Sequence, residues 1–513
     1  MKSIVIMQTD SVYRNGIVDN GQCDCDCDCA CTYTPSVNIE ANNLKGMLYI
    51  KASGVRTFPL HSEWRGLYNP VGTKPLIVLN QHAYKRWERF PKSQKIDPLS
   101  LDSENFDFFS SMIPTELFQP ESVPCKSQPN NNNWQLTSWL HLTDRCNLRC
   151  AYCYLPHASK DMSPKTGRLA VEATFRSALL NNFRQIRFKY AGGEPLLRLP
   201  LILELHSYAR QLADKYAIQR ASKYGRQLND EDLIGLKGVV LSNGTLLTKK
   251  MVKALVSLKL ELMISMDGIG QYHNQHRYYP NHRGSFGDVI KAIDLALTNG
   301  ITPSISITVS NRNAEGLQSI IAWILKQGLP FSINFYREND LSTPHKDMQL
   351  NEKKIINGML AAFSVLENNL PRHNFLGGLL DRTNLSLPHT HTCGVGQNYL
   401  VIAQNGQIAK CQMQIDNPIT DTSVSDPIAV IRADNIGIQN ISVEEKEDCK
   451  TCEWKYWCSG GCPLEAYRTT ERYNVKSPNC NIYKTLLPEA LRLEGARLLK
   501  YKNDSNVVKK ILV

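Results

Sequence analysis

The chain has 513 residues, 42% hydrophobic and 21% charged, which suits two to four globular units with sizeable cores. No run approaches the roughly 18 apolar residues of a membrane-spanning helix, and the start, MKSIVIMQTD, lacks a signal peptide's apolar core. A cytoplasmic protein is expected. The net charge of +11 is thin over this length and no Lys/Arg block tracks a phosphate backbone, so neither nucleic acid nor a membrane is an expected partner.

The first 133 residues read as a separate unit. Within it, residues 65–90 suggest a strand, a turn containing Gly72, a second strand (Leu76 to Leu79) and a helix from about Gln81. Pro129-Asn130-Asn131-Asn132-Asn133 then reads as a linker. From residue 134 to about 340, strands are expected at Leu136–Leu142, Gln185–Tyr190, Gly238–Leu241, Leu260–Ser265, Thr302–Val309 and Pro330–Asn334. Helices at Arg168–Asn182, Lys249–Leu258 and Phe286–Asn299 lie between them. This alternation predicts an α/β parallel sheet or partial barrel, with chemistry at the C-terminal strand ends. Residues 341–392 read as a linker, 393–485 as a cysteine-rich, loop-like unit, and 486–513 as a helix and tail.

Sixteen cysteines are unevenly spread: five at 23–31, one at 125, three at 146–153 and seven between 393 and 480. With no export signal, such groups point to metal or cluster ligation rather than disulfides. Cys146, Cys150 and Cys153 form CxxxCxxC directly after an expected strand. Three thiolates on a cubane of four irons leave one iron open to an amine and a carboxylate of a small molecule.

The segment CNLRCAYCY resembles the cluster motif of the radical S-adenosylmethionine (radical SAM) superfamily, which implies a partial (β/α)6 TIM-like barrel. It also implies reductive cleavage of S-adenosylmethionine (SAM) to a 5′-deoxyadenosyl radical. Further segments match the family one by one. Gly192-Gly193-Glu194 resembles the turn that contacts the methionine amino group, Ser242-Asn243 a later polar turn, and Ser265-Met266-Asp267-Gly268 with Arg277 the segment holding ribose and carboxylate. Tyr152 stands where the family packs an aromatic near the adenine.

The distal cysteines run C-x17-C, then CxxC-x5-C-x3-C-x17-C. This is similar to the SPASM domain, which implies two auxiliary 4Fe-4S clusters and three clusters in all. Carried over, Cys449, Cys452, Cys458 and Cys480 hold an outer cluster, and Cys393, Cys411 and Cys462 an inner one. Sulfatase-maturing relatives place an Asp base directly after the cysteine matching Cys411, where this chain has Gln412; their extra cysteine between the positions of Cys393 and Cys411 is also missing. A neutral amide takes up no proton near neutral pH.

Tyr68-Asn69-Pro70 and Leu79-Asn80-Gln81-His82-Ala83 resemble a PqqD-like peptide-recognition element spanning about 45–125, which implies binding of a precursor's leader. Its alternative is a hairpin and helix that only cap the barrel. In Cys23-Asp24-Cys25-Asp26-Cys27-Asp28-Cys29-Ala30-Cys31 an extended strand would place five thiols on one face. That tract reads equally as a metal-binding segment, a self-modified or substrate-like peptide, a source of the inner cluster's missing ligand, or a disordered tail. Together the resemblances imply an oxidoreductase that modifies, and by preference crosslinks, a ribosomally made precursor peptide, with a flavodoxin or ferredoxin as electron donor. Two alternatives stand beside it: oxidation of a Cys or Ser in a folded protein such as a sulfatase, and a non-catalytic iron–sulfur electron carrier or scaffold.

Overall fold

The computed structural model describes residues 3–8, 12–14, 17–19, 47–121 except 62, 71–75 and 93, and 135–512 except 224, 226, 228–232, 343, 376, 384 and 386–387. The Cys23–Cys31 tract, Cys125, Gly72 and the Pro129–Asn133 linker lie outside the described residues. In chain order the first strands are β1 (Ile4–Gln8), β2 (Val12–Arg14), β3 (Ile17–Asp19), β4 (Tyr49–Lys51), β5 (Arg56–Pro59), β6 (Trp64–Tyr68), β7 (Leu76–Asn80) and β8 (Phe118–Pro120). β1, β7, β6 and β5 pair antiparallel in that order. The expected helix follows at Gln81–Arg89, started by Asn80, whose side chain accepts from Ala83 N at 2.9 Å.

Six strands then run β9 (Gln135–His141), β10 (Gln185–Ala191), β11 (Gly235–Ser242), β12 (Glu261–Ser265), β13 (Ser304–Val309) and β14 (Phe331–Phe335), all parallel and hydrogen-bonded in chain order. This is the expected partial barrel. Every residue of β10 is buried, as a strand covered on both faces requires. Helices Pro164–Leu180, Leu199–Lys223, Lys249–Ser257, Phe286–Thr298 and Leu317–Gln327 make the crossovers. Ser163 caps the first of them on Thr166 N at 3.0 Å, with Pro164 at its first position, where no N–H is needed.

Three further strands extend the sheet beyond β9: β15 (Tyr399–Ile402), parallel to it, then β16 (Gln407–Ala409) and β17 (Thr420–Asp421), antiparallel. The C-terminal region is thus built onto the barrel's open edge.

Two expectations need correction. The stretch 341–392, read as a linker, contains the 17-residue helix Glu352–Asn368, whose Ile355, Met359, Ala362, Phe363 and Leu366 are buried in the barrel core. The final stretch is no free tail: helix Cys480–Lys500 lies in that core, and β18 (Val508–Leu512) pairs antiparallel with β1. Both ends of the chain therefore share one sheet, an arrangement that local sequence patterns do not encode.

Candidate active site and cysteine sets

The loop after β9 carries Cys146, Cys150 and Cys153 to the C-terminal ends of the parallel strands, where barrel sites form. It is clamped on two sides. Arg149 N donates to Tyr278 O at 2.7 Å and Ala151 N to His276 O at 2.9 Å; opposite, Gly193 N donates to Thr143 O at 2.7 Å and Glu194 N to Arg145 O at 2.8 Å. A Cβ on Gly192 (φ +152°) would stand 2.4 Å from Thr143 O, and one on Gly193 2.4 Å from Arg145 O. Glycine at both positions thus admits the backbone of the cysteine loop itself.

None of the three thiols is in a disulfide. Burial pushes Cys146 up to about 11, and Cys150 and Cys153 also upward, so a strongly positive metal group is needed to make them thiolates. Donors face the sulfurs: Asn243 Nδ2 lies 3.8 Å from Cys146 Sγ and Arg277 Nη1 3.8 Å from Cys150 Sγ. Among the described residues no three His, Cys, Asp or Glu side chains could hold a single metal ion. Three thiols with N–H donors behind them fit the cysteine-rich ligation and sulfur hydrogen bonding of an iron–sulfur cluster.

Beside the triplet, Asp267 is fully buried. One oxygen accepts from Tyr152 OH at 2.6 Å and Arg277 Nε at 2.7 Å, the other from Thr308 N at 2.8 Å. Burial alone would raise its pKa, but Arg277, His276, His273 and the Tyr152 hydroxyl together hold it below the usual carboxylate range. Arg277 also lies over the Tyr152 ring, 5.1 Å from its centroid. Three residues expected around SAM thus form one charged knot.

Glu194 is equally committed. Its carboxylate accepts from Leu196 N at 3.0 Å, Ser242 Oγ at 2.8 Å and Asn243 N at 2.8 Å, and burial still pushes it up to about 6. It ties the Gly192–Glu194 turn to the Ser242–Asn243 turn. Ser265 ends β12 in register with Ser306.

The seven distal cysteines fall into two places. Cys449, Cys452, Cys458 and Cys480 line one small cavity. Cys393, Cys411 and Cys462 sit in a different apolar cluster with Tyr399, Val401 and Trp139 of β9. Gln412 Oε1 accepts from Tyr399 OH at 3.1 Å.

Sequence reasoning missed several residues. Lys446 is fully buried and donates to Ser459 O at 2.8 Å; burial lowers its pKa while the thiols of Cys449, Cys458, Cys393 and Cys462 pull it back up. Asn147 bridges Asn243 (3.0 Å) and Thr245 (2.8 Å). Its place inside the cysteine motif was the available signal. Tyr68, noted only for its motif, stacks on Trp454 at the outer cysteine cavity, with ring centroids 5.1 Å apart.

Residues 140–324 match the family Radical SAM superfamily. Uncharacterized protein MJ0907 of Methanocaldococcus jannaschii is 30% identical over 41% of this chain and 64% of its own length. The antilisterial bacteriocin subtilosin biosynthesis protein AlbA of Bacillus subtilis is 24% identical over 54% and 55%, and a cysteine-type anaerobic sulfatase-maturating enzyme of Clostridium perfringens 22% identical over 62% and 85%. The chain therefore spans less than two thirds of the length of the first two. Among solved structures, native anSMEcpe with bound AdoMet and Cp18Cys peptide is similar with a TM-score of 0.55 at 20% identity, over 72% of this chain and 99% of that one, a likeness of fold.

Proposed function

We propose that this chain, whose residues 140–324 form a radical SAM domain, modifies a ribosomally made peptide, with a crosslink as the product. One observation carries the reading. The ten described cysteines fall into three separate sets, one at the mouth of the half-barrel and two in the region built onto its edge. A scaffold for a single electron-transfer centre does not need that division.

When bound, a 4Fe-4S cluster with SAM supplies a 5′-deoxyadenosyl radical that takes hydrogen from unactivated C–H bonds. The protein's own groups position and insulate. Cys146, Cys150 and Cys153 present the three cluster ligands, and Arg277 offers its guanidinium to a carboxylate while Asp267 keeps it in place. Tyr152, its hydroxyl held by Asp267, presents its ring face beside that guanidinium. Glu194 holds the two polar turns together, so the rim stays in register. The two distal sets are read as auxiliary clusters, with substrate binding or electron acceptance as their part.

The antiparallel strands β5–β7 followed by helices Gln81–Arg89 and Ser103–Met112 support a leader-binding role for 45–125. β5 is the end strand of its sheet, and sheet edges accept an added peptide strand. The bacteriocin-biosynthesis relative favours a peptide substrate. The sulfatase-maturase relative favours the second reading, but Gln412 lacks the proton acceptor that it requires.

Anaerobically reconstituted protein with dithionite and SAM should form 5′-deoxyadenosine. Co-expression with candidate precursor peptides should yield one that loses two hydrogens per crosslink, read by mass spectrometry. Absence of 5′-deoxyadenosine would sink the proposal.

A further inference from the structure

Gln412 is a neutral amide already hydrogen-bonded to Tyr399, yet heteroatom crosslinking releases a proton. We propose that His141 is the base of this chain, taking the proton of a substrate S–H or N–H group on Nδ1, with Asp144 as its positioning residue. The inference rests on the function proposed above.

His141 and Asp144 are 1% and 5% exposed, and His141 Nε2 lies 2.7 Å from Asp144 Oδ1. With Nε2 donating to that oxygen, Nδ1 presents its lone pair. Asp144 is fixed in turn: its other oxygen accepts from Gln404 Nε2 at 3.1 Å, and its backbone N donates to Lys160 O at 2.9 Å. Base, orienting carboxylate and a third group that holds the carboxylate repeat the logic of hydrolase triads on an unrelated fold.

Nδ1 is buried and has no hydrogen-bond partner among the described residues. A buried acceptor left unpaired is destabilising, and a substrate group that donates to it would relieve that cost. Its location suits the role. Side chains alternate along a strand, so His141 shares a face of β9 with Trp139, whose Nε1 is also buried and unpartnered. Trp139 packs with the Cys393, Cys411 and Cys462 cluster, and the residue opposite His141 on β10 is Ala191, immediately before Gly192. The orphan acceptor and orphan donor therefore lie between the cysteine-loop rim and the inner cysteine set. A substrate X–H would face Nδ1, and a substrate carbonyl would receive from Trp139.

In the step, the X–H bond breaks, Nδ1–H forms, and the electron pair stays on X. The imidazolium faces the Asp144 carboxylate, and no oxidant enters. The experiment uses reconstituted enzyme and the peptide identified by co-expression, and reads the ratio of modified peptide to 5′-deoxyadenosine. A positioned base contributes about 10²–10⁴-fold, so His141→Gln should lower that ratio at least 100-fold, and His141→Ala should regain product with added imidazole. Asp144→Asn, which spares the imidazole, should lower the ratio about tenfold without imidazole rescue. A ratio within threefold of wild type in His141→Gln overturns the assignment; should that variant fail to fold, an unchanged ratio in Asp144→Asn overturns it instead. A wild-type enzyme that forms no 5′-deoxyadenosine overturns the proposed function, and this inference with it.

Discussion

Asp267→Asn tests the knot at the barrel mouth most severely. The carboxylate is fully buried and accepts from three donors: Tyr152 OH, Arg277 Nε and Thr308 N. An amide offers one acceptor oxygen, so its NH2 must face at least one of those donors, and Arg277, whose side chain is only 11% exposed, loses its counter-ion. Removing one partner of a buried pair costs about 3–5 kcal/mol. With a urea slope near 3 kcal/mol/M, the unfolding midpoint should fall by about 1–1.7 M. Tryptophan fluorescence of the reduced, metal-free chain reads this without any turnover. The double variant Asp267→Asn/Arg277→Met, which also removes the stranded charge, should recover part of the loss, a coupling beyond about 1 kcal/mol. A midpoint within 0.2 M (roughly 0.6 kcal/mol at that slope) of wild type, or strictly additive effects, would refute the account of Asp267 as the counter-charge that makes Arg277 tolerable there.

Gly193→Ala should cost roughly 1–3 kcal/mol and cut 5′-deoxyadenosine formation at least tenfold, because the new Cβ would stand 2.4 Å from Arg145 O; unchanged activity would show that the turn can move. Burial lowers His206 to about 4 and His273 to about 3, so the unfolded chain binds more protons below pH ~6.5, and stability falls as pH drops through that value. At pH 5.5 the pair should cost about 3 kcal/mol relative to pH 7.5, read as the urea midpoint at the two pH values. Cys452→Ala or Cys480→Ala should each remove about one four-iron centre per chain, and the double variant no more, because both line one cavity. Cys452→Ala/Cys393→Ala should remove two, and iron analysis separates the cases. Tyr68→Ala, emptying a stacked site against Trp454, should cost about 3–5 kcal/mol in thermal or urea unfolding.

What the sequence disclosed and what it hid divide along physical lines. The barrel strands were legible as short runs of strand-forming residues between helices; β10 is buried along its whole length although Gln185, Arg187 and Lys189 alternate in it with Ile186, Phe188 and Tyr190. The two distal cysteine groups that the SPASM resemblance implies lie in separate environments. By contrast, Leu199–Lys223 carries Leu, Ile and Ala on most of its faces, so no single stripe marked it as a helix. The helix in the expected linker has a capping signal, Asn351 accepting from Lys354 N at 3.0 Å, but it lies beyond the last expected barrel strand, outside the β-α alternation.

The least legible features are those in which one residue serves two distant segments. β18 completes the sheet of β1 across almost the whole chain, and Gln404 reaches back to Asp144 over 260 positions. Glu194 and Asp267, which their motifs place near a ligand, each already satisfy several protein donors from other segments. Rigidity of this kind has a chemical consequence. A radical intermediate reacts with whatever is nearest, so a site that generates one gains selectivity from groups that cannot turn toward it. Carboxylates with their lone pairs engaged in protein hydrogen bonds are such groups. The polar atoms left without partners on β9, Trp139 Nε1 and His141 Nδ1, are then where a substrate finds its hydrogen bonds.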